Sequence, residues 1–462
     1  MVKCVSPGDG KVFAERDVAT AEQIAVALDK AKAAQKSWRK LSIAQRAKYC
    51  TAVVDVMVSM KDEIGKELAI SMGRPIRYGA GEVGGFEERA RYMISIADQA
   101  LASVNPGDKE GFERSIEREA LGVVFTIAPW NFPFMTAVNS IIPALMAGNV
   151  SILKHSSATL IIGERFEKAF AAAGLPDGVF QHLILSHDQT ADVIGSGKVD
   201  MVCFTGSVPA GRQIEQAAAE QFIPVGLELG GKDPAYVRAD ADVAFAVENI
   251  VDGAFFNSGQ SCCGIERIYV DASVWDEFVP AFVEMVKSYK LGDPMDEETT
   301  LGPLIKSSAA DFVRTQIEDA VKAGATAHID AADFPADKGM GSAYLAPQVL
   351  TNVDHSMSVM MDESFGPVVG IMKVSGDEEA IKLMNDSPFG LTASIWTKDV
   401  DAAREIGQEL ETGTVFMNRC DYLDPALAWT GCKDTGRGCT LSSIGYESLT
   451  RPKSFHLRVV TG

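Results

Sequence analysis

The sequence lacks long apolar segments and an excess of positive charge, and these two absences exclude whole classes of protein. Its longest apolar stretches, such as residues 121–128, are far shorter than the roughly 20 residues that cross a bilayer. Lysine and arginine number 43 against 63 aspartates and glutamates, so the formal net charge is −20. This charge disfavours binding to nucleic acid or anionic lipid. No secretory signal is visible near the N-terminus, and we therefore expect a cytoplasmic protein without nucleic-acid or membrane partners.

Cysteine and histidine are also scarce, with 8 and 6 residues. No cysteines have a paired Cys-x-x-Cys spacing, and the adjacent Cys262 and Cys263 are poorly placed to be two ligands of one tetrahedral metal. We therefore expect neither a disulfide framework nor a metal site. No histidine lies in a glycine-rich or motif-like setting, so a Cys-His or Ser-His-Asp pairing is not evident either.

The chain of 462 residues contains no fixed-period repeat and no low-complexity tract, and its length suggests two or three domains. Helical periodicity begins after Thr20, which opens a Thr-x-x-Gln pattern typical of a capping box. Further along, short continuous apolar runs alternate with helical stretches. Strands that are apolar on both faces predict a parallel sheet covered by helices, and hence an α/β protein. The predicted strands are residues 121–128, 150–153, 199–205 and 224–229.

A second α/β section is predicted from about residue 231 to about residue 429. It contains a helix over 242–256, a strand over 265–270 and a helix over 275–289. Residues 112–119 and 450–459 differ, because they are strand-like, rich in charge and not flanked as βαβ units. Each is either an exposed edge strand or one half of a strand pair used for subunit association.

A glycine-containing turn follows the predicted strand 199–205. The chain runs Gly206-Ser-Val-Pro-Ala-Gly211 and then becomes helical through residue 221. Free N–H groups and the dipole at a helix N-terminus form an anion site, and Pro209 suits the first helical turn. The spacing is not that of the G-x-G-x-x-G dinucleotide motif, so the segment alone is also compatible with an ordinary βα turn.

Three side chains stand in settings that suit catalysis. Glu228 lies between two leucines in Leu-Glu-Leu-Gly-Gly-Lys, and this apolar setting should raise the pKa of its carboxylate towards the range of a general base. The alternative is a carboxylate that accepts hydrogen bonds from the neighbouring glycine N–H groups. Cys262 ends the glycine-containing run Asn-Ser-Gly-Gln-Ser-Cys, a setting that suits a thiolate nucleophile. Asn131, between the two prolines of Pro-Trp-Asn-Phe-Pro, is either an oxyanion donor or a turn-stabilising amide.

Together these motifs resemble the aldehyde dehydrogenase superfamily. Pro-Trp-Asn-Phe-Pro, Phe-Thr-Gly-Ser, Leu-Glu-Leu-Gly-Gly-Lys, Gly-Gln-Ser-Cys-Cys and Glu-Ser-Phe-Gly-Pro-Val occur in the order of that family over essentially the whole chain. The resemblance implies a discontinuous Rossmann-like cofactor domain (residues 1–101 and 120–229) and an α/β catalytic domain (residues 230–430). It also implies a small β oligomerisation element (residues 102–119 and 431–462), in a homodimer or homotetramer.

The same resemblance implies a role for each motif. Cys262 would attack an aldehyde, Asn131 would hold the oxyanion, and hydride would pass to NAD(P)+. Water activated by Glu228 would hydrolyse the resulting thioester, and Cys263 would take no part. The expected cofactor contacts are Trp130, Lys154, Ser157, Gly206, Ser207, Gly211, Leu229, Glu363 and Phe365, with Lys154 at the adenosine ribose, Ser207 at the pyrophosphate and Glu363 at the nicotinamide ribose.

Two departures from the family pattern bear on specificity. NAD-preferring relatives carry a glutamate three residues after the lysine, where this chain has Ser157, so we predict that NADP is accepted, with NAD as the alternative. Succinate-semialdehyde dehydrogenases carry an arginine eight residues after the catalytic asparagine, where this chain has Asn139. Arg419 could supply the cation, although pairing with the nearby aspartates is the favoured interpretation. The candidate substrate contacts are Asn139, Ser261 and Arg419.

The main hypothesis is therefore oxidation of a small aldehyde to its acid, and the length of the chain resembles that of bacterial semialdehyde dehydrogenases acting on substrates such as succinate semialdehyde. Three alternatives stay open at this point. They are CoA-acylating oxidation, a catalytically silent structural member of the superfamily, and a cysteine hydrolase that needs no nicotinamide cofactor.

Overall fold

Strands and helices alternate along most of the chain in the computed structural model, which describes residues 1–459. Residues 460–462, the end of the expected oligomerisation element, lie outside the described residues. The strands are β1 (Val2–Val5), β2 (Val12–Arg16), β3 (Phe112–Ala120), β4 (Val123–Ala128), β5 (Val150–His155), β6 (Phe180–His182), β7 (Met201–Thr205), β8 (Val225–Glu228), β9 (Asp233–Val237), β10 (Ile265–Asp271), β11 (Thr326–Ala327), β12 (Gln348–Thr351), β13 (Val368–Val374), β14 (Phe389–Gly390), β15 (Thr392–Trp396), β16 (Thr414–Met417), β17 (Cys432–Lys433), β18 (Gly436–Arg437) and β19 (Thr450–Arg458).

The helices cover both sheets and supply the long connections that parallel strands require. They are α1 (Ala21–Trp38), α2 (Ile43–Ser59), α3 (Lys61–Met72), α4 (Ile76–Ala100), α5 (Pro133–Met146), α6 (Leu160–Ala172), α7 (His187–Gly195), α8 (Val208–Ala218), α9 (Val243–Phe255), α10 (Trp275–Lys287), α11 (Ser307–Lys322), α12 (Ser358–Met361), α13 (Asp377–Asn385), α14 (Val400–Glu409) and α15 (Ser442–Ser448). Among these described helices, none is long and apolar enough to cross a membrane.

The first sheet has the strand order β18-β8-β7-β4-β5-β6, and all its pairs are parallel except that of β18 with β8. All four strands predicted before residue 230 are present in it, with their ends moved by a few residues. Every residue of β4 and β5 is buried, which agrees with the continuous apolar pattern of these strands. The capping box at Thr20 also forms, since its hydroxyl accepts from the Gln23 N–H and the Gln23 side chain accepts from the Thr20 N–H.

The second sheet has the order β11-β12-β13-β10-β9-β15-β16 and is parallel except at β11. The predicted elements over 242–256, 265–270 and 275–289 correspond to α9, β10 and α10. Both sheets are therefore the helix-covered parallel sheets that the apolar runs predict. The carboxyl ends of strands in the first sheet carry three of the motifs singled out in the sequence. Asn131 follows β4, Gly206 follows β7, and Glu228 is the last residue of β8.

The two charged segments pair with each other. Strands β3 and β19 form an antiparallel ladder from Phe112–Arg458 to Ala120–Thr450. Phe455 and Leu457 are exposed on this pair. The stretch before β19 packs elsewhere, since β18 joins the first sheet and Tyr446 belongs to the core of that sheet.

Candidate active site

A strained loop presents Cys262. After α9 the chain makes a tight turn in which Asn257 and Ser258 have φ angles of 52° and 58°. Left-handed conformations are unfavourable for non-glycine residues, so surrounding contacts must hold them. The Ser258 hydroxyl donates to the carbonyl of Gly302 at 2.8 Å. At Gly259 a side chain is excluded, because a Cβ would lie 2.3 Å from the Gly366 carbonyl oxygen. The loop that carries the thiol is therefore clamped against the loop around Gly366.

Cys262 lies at the border of two cavities. The first, here the Trp130 cavity, has a volume of about 260 Å3. The second, here the Arg89 cavity, has a volume of about 290 Å3. The Trp130 cavity is lined by Pro129, Trp130, Asn131, Thr205, Gly206, Ser207, Leu229, Gly230, Cys262, Glu363 and Phe365. The Arg89 cavity is lined by Gly85, Glu88, Arg89, Phe132, Met135, Thr136, Asn139, Thr205, Glu228, Asp252, Phe256, Ser261, Cys262, Cys263, Asp421, Tyr422, Leu423 and Trp429.

Glu228, the last residue of β8, faces the Arg89 cavity with its carboxylate held by two hydroxyls. Thr440 donates to Oε1 at 2.6 Å and Thr205 donates to Oε2 at 3.2 Å. Desolvation by the surrounding protein raises the pKa of Glu228, while these two hydrogen bonds and the charge of Arg89 lower it. A third cavity of about 180 Å3 meets the same carboxylate. The group is thus an oriented carboxylate with a raised pKa, as its position among leucines predicts.

Asn131 is fixed by a buried network that the sequence does not reveal. Its Nδ2 donates to the Gln260 carbonyl at 3.2 Å. Its own carbonyl accepts from Arg74 Nη2 at 2.5 Å and from Asn257 Nδ2 at 3.4 Å. Arg74 is itself paired with Glu82 of α4, and both side chains are almost fully buried. The arginine therefore ties the Asn131 loop to the turn that precedes Cys262.

The neighbour of Cys262 is in a different environment. The Cys263 thiol donates to Asp421 Oδ1 at 3.0 Å, and the Ser261 hydroxyl donates to the same oxygen at 2.9 Å. A side-chain hydrogen bond with Cys262, burial and the charge of Asp421 raise the pKa of Cys263 well above its ordinary value. Desolvation raises the pKa of Asp421 to about 6. Cys263 is therefore a protonated donor, consistent with the expectation that it is not the nucleophile.

Comparisons with known proteins show which family the chain belongs to. The sequence matches the aldehyde dehydrogenase family over residues 1–455. The chain belongs to that family. It is 35% identical to a succinate-semialdehyde dehydrogenase (NADP+) of Mycobacterium avium, over 89% of this chain and 87% of that protein. The expected fold class is confirmed by the solved structures that this aldehyde dehydrogenase resembles.

Two of those structures were determined with NADP. Succinic semialdehyde dehydrogenase from Streptococcus pyogenes, in complex with NADP+, superimposes with a TM-score of 0.94 at 29% identity, covering 99% of this chain and 100% of that one. NADP-dependent glyceraldehyde-3-phosphate dehydrogenase from Bacillus halodurans C-125, complexed with NADP, gives 0.92 at 33% identity, covering 99% and 96%. Family membership establishes the reaction of this enzyme as oxidation of an aldehyde to a carboxylic acid with NAD(P)+.

The Trp130 cavity of this aldehyde dehydrogenase fits a nicotinamide cofactor. The rings of Trp130 and Phe365 meet edge-to-face with centroids 5.7 Å apart. Glu363 accepts the Gly231 N–H at 3.0 Å, and desolvation raises the pKa of this carboxyl to about 7. Ser207 is the N-cap of α8 but caps no N–H with its side chain, so the first N–H groups of the helix are available to an anion. The cavity thus combines an aromatic wall, a carboxylate and a helix N-terminus with free N–H groups.

The remaining predicted cofactor residues lie outside the lining of this cavity. Lys154 and Ser157 are at the carboxyl end of β5, the strand beside β4. Burial lowers the pKa of Lys154, whose ammonium group forms no hydrogen bond or ion pair with any of residues 1–459. Such an unpaired buried cation fits an anionic ligand. Gly211 acts through packing, because a Cβ there would lie 2.6 Å from a methyl group of Leu229.

The three predicted substrate residues are not all brought together. Asn139 and Ser261 line the Arg89 cavity, but Arg419 does not. The guanidinium of Arg419 lies over the ring of Tyr422, 3.6 Å from its centroid. The interpretation that Arg419 pairs with Asp421 and Asp424 is wrong, since no such ion pair forms within the described part of the chain. The guanidinium of Arg419 therefore contacts an aromatic ring and not the neighbouring carboxylates.

Sequence reasoning missed Arg89 and Thr440. Arg89 is buried on α4 and lines the cavity, and Gly85, one turn earlier, leaves room for the Met135 side chain. Thr440 meets Glu228 although 212 positions separate them. Neither residue stands in a recognisable motif, and helical spacing alone does not distinguish a cavity-facing arginine from a surface one. Among the described residues, no group of three or more histidine, cysteine, aspartate or glutamate side chains is placed to hold a metal.

Proposed function

We propose that this aldehyde dehydrogenase oxidises a semialdehyde, such as succinate semialdehyde, with Cys262 as the nucleophile and NADP as an accepted cofactor. The observation that carries the proposal is the position of Cys262 at the border of the Trp130 and Arg89 cavities. A thiol in that position can meet an aldehyde from one side and a nicotinamide ring from the other. The names of the relatives support a semialdehyde as the substrate.

In this proposal the Cys262 thiolate attacks the aldehyde carbon. The carbonyl oxygen becomes an oxyanion, and the Asn131 side chain and the Cys262 N–H are its donors. Asn131 lines the same cavity as the thiol, and hydrogen bonds within the protein, to Arg74 and to the Gln260 carbonyl, hold it in place. Donors fixed in advance need no reorganisation when charge develops, and this is the source of their catalytic value.

The two later steps separate redox chemistry from hydrolysis. When bound, the nicotinamide ring accepts the hydride that leaves the substrate carbon. The acyl group then remains on Cys262 as a thioester. Glu228 takes a proton from the attacking water, and its raised pKa suits this role near neutral pH. A water-activating carboxylate beside the thiol favours hydrolysis over transfer of the acyl group to CoA.

NADP acceptance rests on the end of β5. A glutamate at position 157 would repel a 2′-phosphate, whereas the serine present there is neutral and exposed. The unpaired ammonium group of Lys154 lies three residues before it and supplies positive charge. We propose that these two residues hold the adenosine ribose and its phosphate, that Ser207 faces the pyrophosphate, and that Trp130, Gly206, Leu229, Glu363 and Phe365 surround the nicotinamide end.

The assembly and location of the enzyme are also proposals. We infer that β3 and β19 form the oligomerisation element of a homodimer or homotetramer, because this two-stranded sheet exposes Phe455 and Leu457. The parts of the chain around it, residues 1–101 with 120–229 and residues 230–430, would be the cofactor and catalytic domains. We further propose a cytoplasmic enzyme.

The test is to follow formation of reduced cofactor with NAD and with NADP, against succinate semialdehyde, glyceraldehyde 3-phosphate and neutral aldehydes. We expect NADP reduction with succinate semialdehyde and none with the Cys262→Ala variant. The Cys263→Ala variant is the matched control and should keep turnover. Equal activity of the Cys262→Ala enzyme would contradict the proposed nucleophile, and a lack of oxidation of any semialdehyde would contradict the proposed substrate.

A further inference from the structure

Arg89 is a buried cation that forms no direct ion pair with any of residues 1–459. The residue is 8% exposed. Its Nη1 donates to the Met135 carbonyl at 2.7 Å and to Asn139 Oδ1 at 3.4 Å, and both acceptors are neutral. Glu82 and Glu228 act on its charge only from beyond ion-pair distance. Because proteins normally pair buried charges directly, Arg89 has room for an anion that a ligand supplies.

The carboxylates nearest to Arg89 on α4 are engaged with other groups. Glu82 pairs with Arg74 through Oε2 and accepts the N–H groups of Phe134 and Met135 with Oε1. Glu88 accepts the hydroxyl of Tyr422 at 2.7 Å.

The same holds on the other walls of the cavity. Asp421 accepts from Ser261 and Cys263. Glu228 accepts from Thr205 and Thr440. Asp252 also lines the cavity but lies outside ion-pair distance of Arg89.

Asn139 positions the Arg89 side chain in the cavity. Its Oδ1 accepts from Arg89 Nη1 at 3.4 Å, so the amide oxygen faces the guanidinium and Nδ2 points away from it. The two residues line the same cavity as Cys262 and Glu228. The cation therefore shares one cavity with the thiol and the carboxylate.

We propose that Arg89 binds a carboxylate at the far end of the aldehyde substrate, with Asn139 Oδ1 holding the guanidinium in place. This inference rests on the function proposed above and names the residues that select its substrate. Succinate-semialdehyde dehydrogenases carry an arginine at the position where this chain has Asn139. Arg89, on α4, contacts the Asn139 side chain and so places a cation close to that position. The cavity of about 290 Å3 suits a short aldehyde with an anionic end.

The kinetic test compares two substrates and two arginines. Succinate semialdehyde carries the carboxylate, and its methyl ester lacks the charge. For Arg89→Met we expect kcat/KM to fall about 100-fold with the acid and by less than about threefold with the ester, mainly through KM, as is typical when one partner of a desolvated charge pair is removed. Arg91→Met is the matched control, since Arg91 lies on the same helix but pairs with Glu87 and Asp55 at the surface.

A second readout does not depend on turnover. Iodoacetate and iodoacetamide alkylate thiols by the same displacement of iodide, but only iodoacetate carries a negative charge. We expect the ratio of their rates at Cys262, followed by mass spectrometry, to fall about tenfold in Arg89→Met and to stay unchanged in Arg91→Met, because a fixed cation attracts the anionic reagent. Arg89→Lys should keep an intermediate ratio, since the charge remains and the planar fork is lost.

The outcomes separate this inference from the proposed function. Equal losses with acid and ester, together with an unchanged alkylation ratio, would show that Arg89 is structural and would overturn the inference. If the wild-type enzyme prefers glyceraldehyde 3-phosphate and the Arg89→Met variant loses that preference, the site binds phosphate. The proposal of a carboxylate ligand would then be wrong. A wild-type enzyme that oxidises no aldehyde would contradict the proposed function, while the alkylation ratio would still decide whether Arg89 binds an anion.

Discussion

Replacing Thr440 by valine should move the pH profile of the enzyme. The Thr440 hydroxyl donates to Glu228 Oε1 at 2.6 Å, and this bond stabilises the carboxylate over the carboxylic acid. Valine has almost the same shape but no donor. Without the bond, the pKa of Glu228 should rise further above its ordinary value. Since Glu228 must be ionised to take a proton from water, the acid limb of kcat should move to higher pH.

The size of the shift follows from the hydrogen bond. A hydrogen bond to a charged group contributes about 1.5–3 kcal/mol, and one pKa unit corresponds to about 1.36 kcal/mol. The third cavity meets the same carboxylate, so water can replace part of the lost donor. We therefore expect an upward shift of about one unit. Thr205→Val should give a smaller shift in the same direction, because the Thr205 bond is longer, at 3.2 Å.

The assay is kcat at saturating aldehyde and NADP, measured from pH 5 to 9 for each variant. Thr430→Val is the control, since Thr430 donates to the Gly438 carbonyl on the same segment and does not touch Glu228. Glu228→Gln should abolish the limb. An unmoved acid limb in Thr440→Val, or a shift to lower pH, would refute the assignment of that limb to the Glu228 carboxylate.

Three further predictions concern the frame of the site and the cofactor. Asn131→Ala should lower kcat by roughly 100- to 1,000-fold, which corresponds to an oxyanion donor of about 2.7–4 kcal/mol. Ser157→Glu should reduce kcat/KM with NADP about tenfold or more relative to NAD, because it places a carboxylate near the 2′-phosphate. Arg74→Met should lower the free energy of unfolding by about 3–5 kcal/mol, measured by denaturant titration, because it leaves Glu82 buried without its partner.

Each of these predictions has its own control. Asn131→Asp should not restore kcat, since a carboxylate cannot donate to an oxyanion. Ser157→Ala should keep the wild-type ratio of kcat/KM with NADP to kcat/KM with NAD, and a fall in that ratio would contradict the charge argument. Combining Arg74→Met with Glu82→Leu should recover part of the lost stability; an unchanged unfolding free energy in the single variant would show that the pair contributes nothing.

The sequence by itself determined the elements and the residues at their ends. Mainly apolar runs predict β4 and β5, because a strand buried on both faces carries apolar residues at most of its positions; Thr126 and Ser151 are the polar residues within these runs. The capping box at Thr20 is encoded within four residues. Motif order identified Cys262, Glu228 and Asn131, and the structure brings the thiol between the two cavities that border the acid and the amide. These features depend on neighbours in the chain, and so a local pattern reveals them.

Only the tertiary structure decided which partners those residues have. The contact of Thr440 with Glu228 and the contact of Arg74 with Asn257 join positions 212 and 183 residues apart. Arg419 stacks on Tyr422 instead of pairing with an aspartate, and Arg89 contacts Asn139, 50 positions further along the chain. Such contacts depend on how helices and loops are packed in three dimensions. A long side chain has several partners within reach, and its sequence neighbours do not tell which of them the packing brings close.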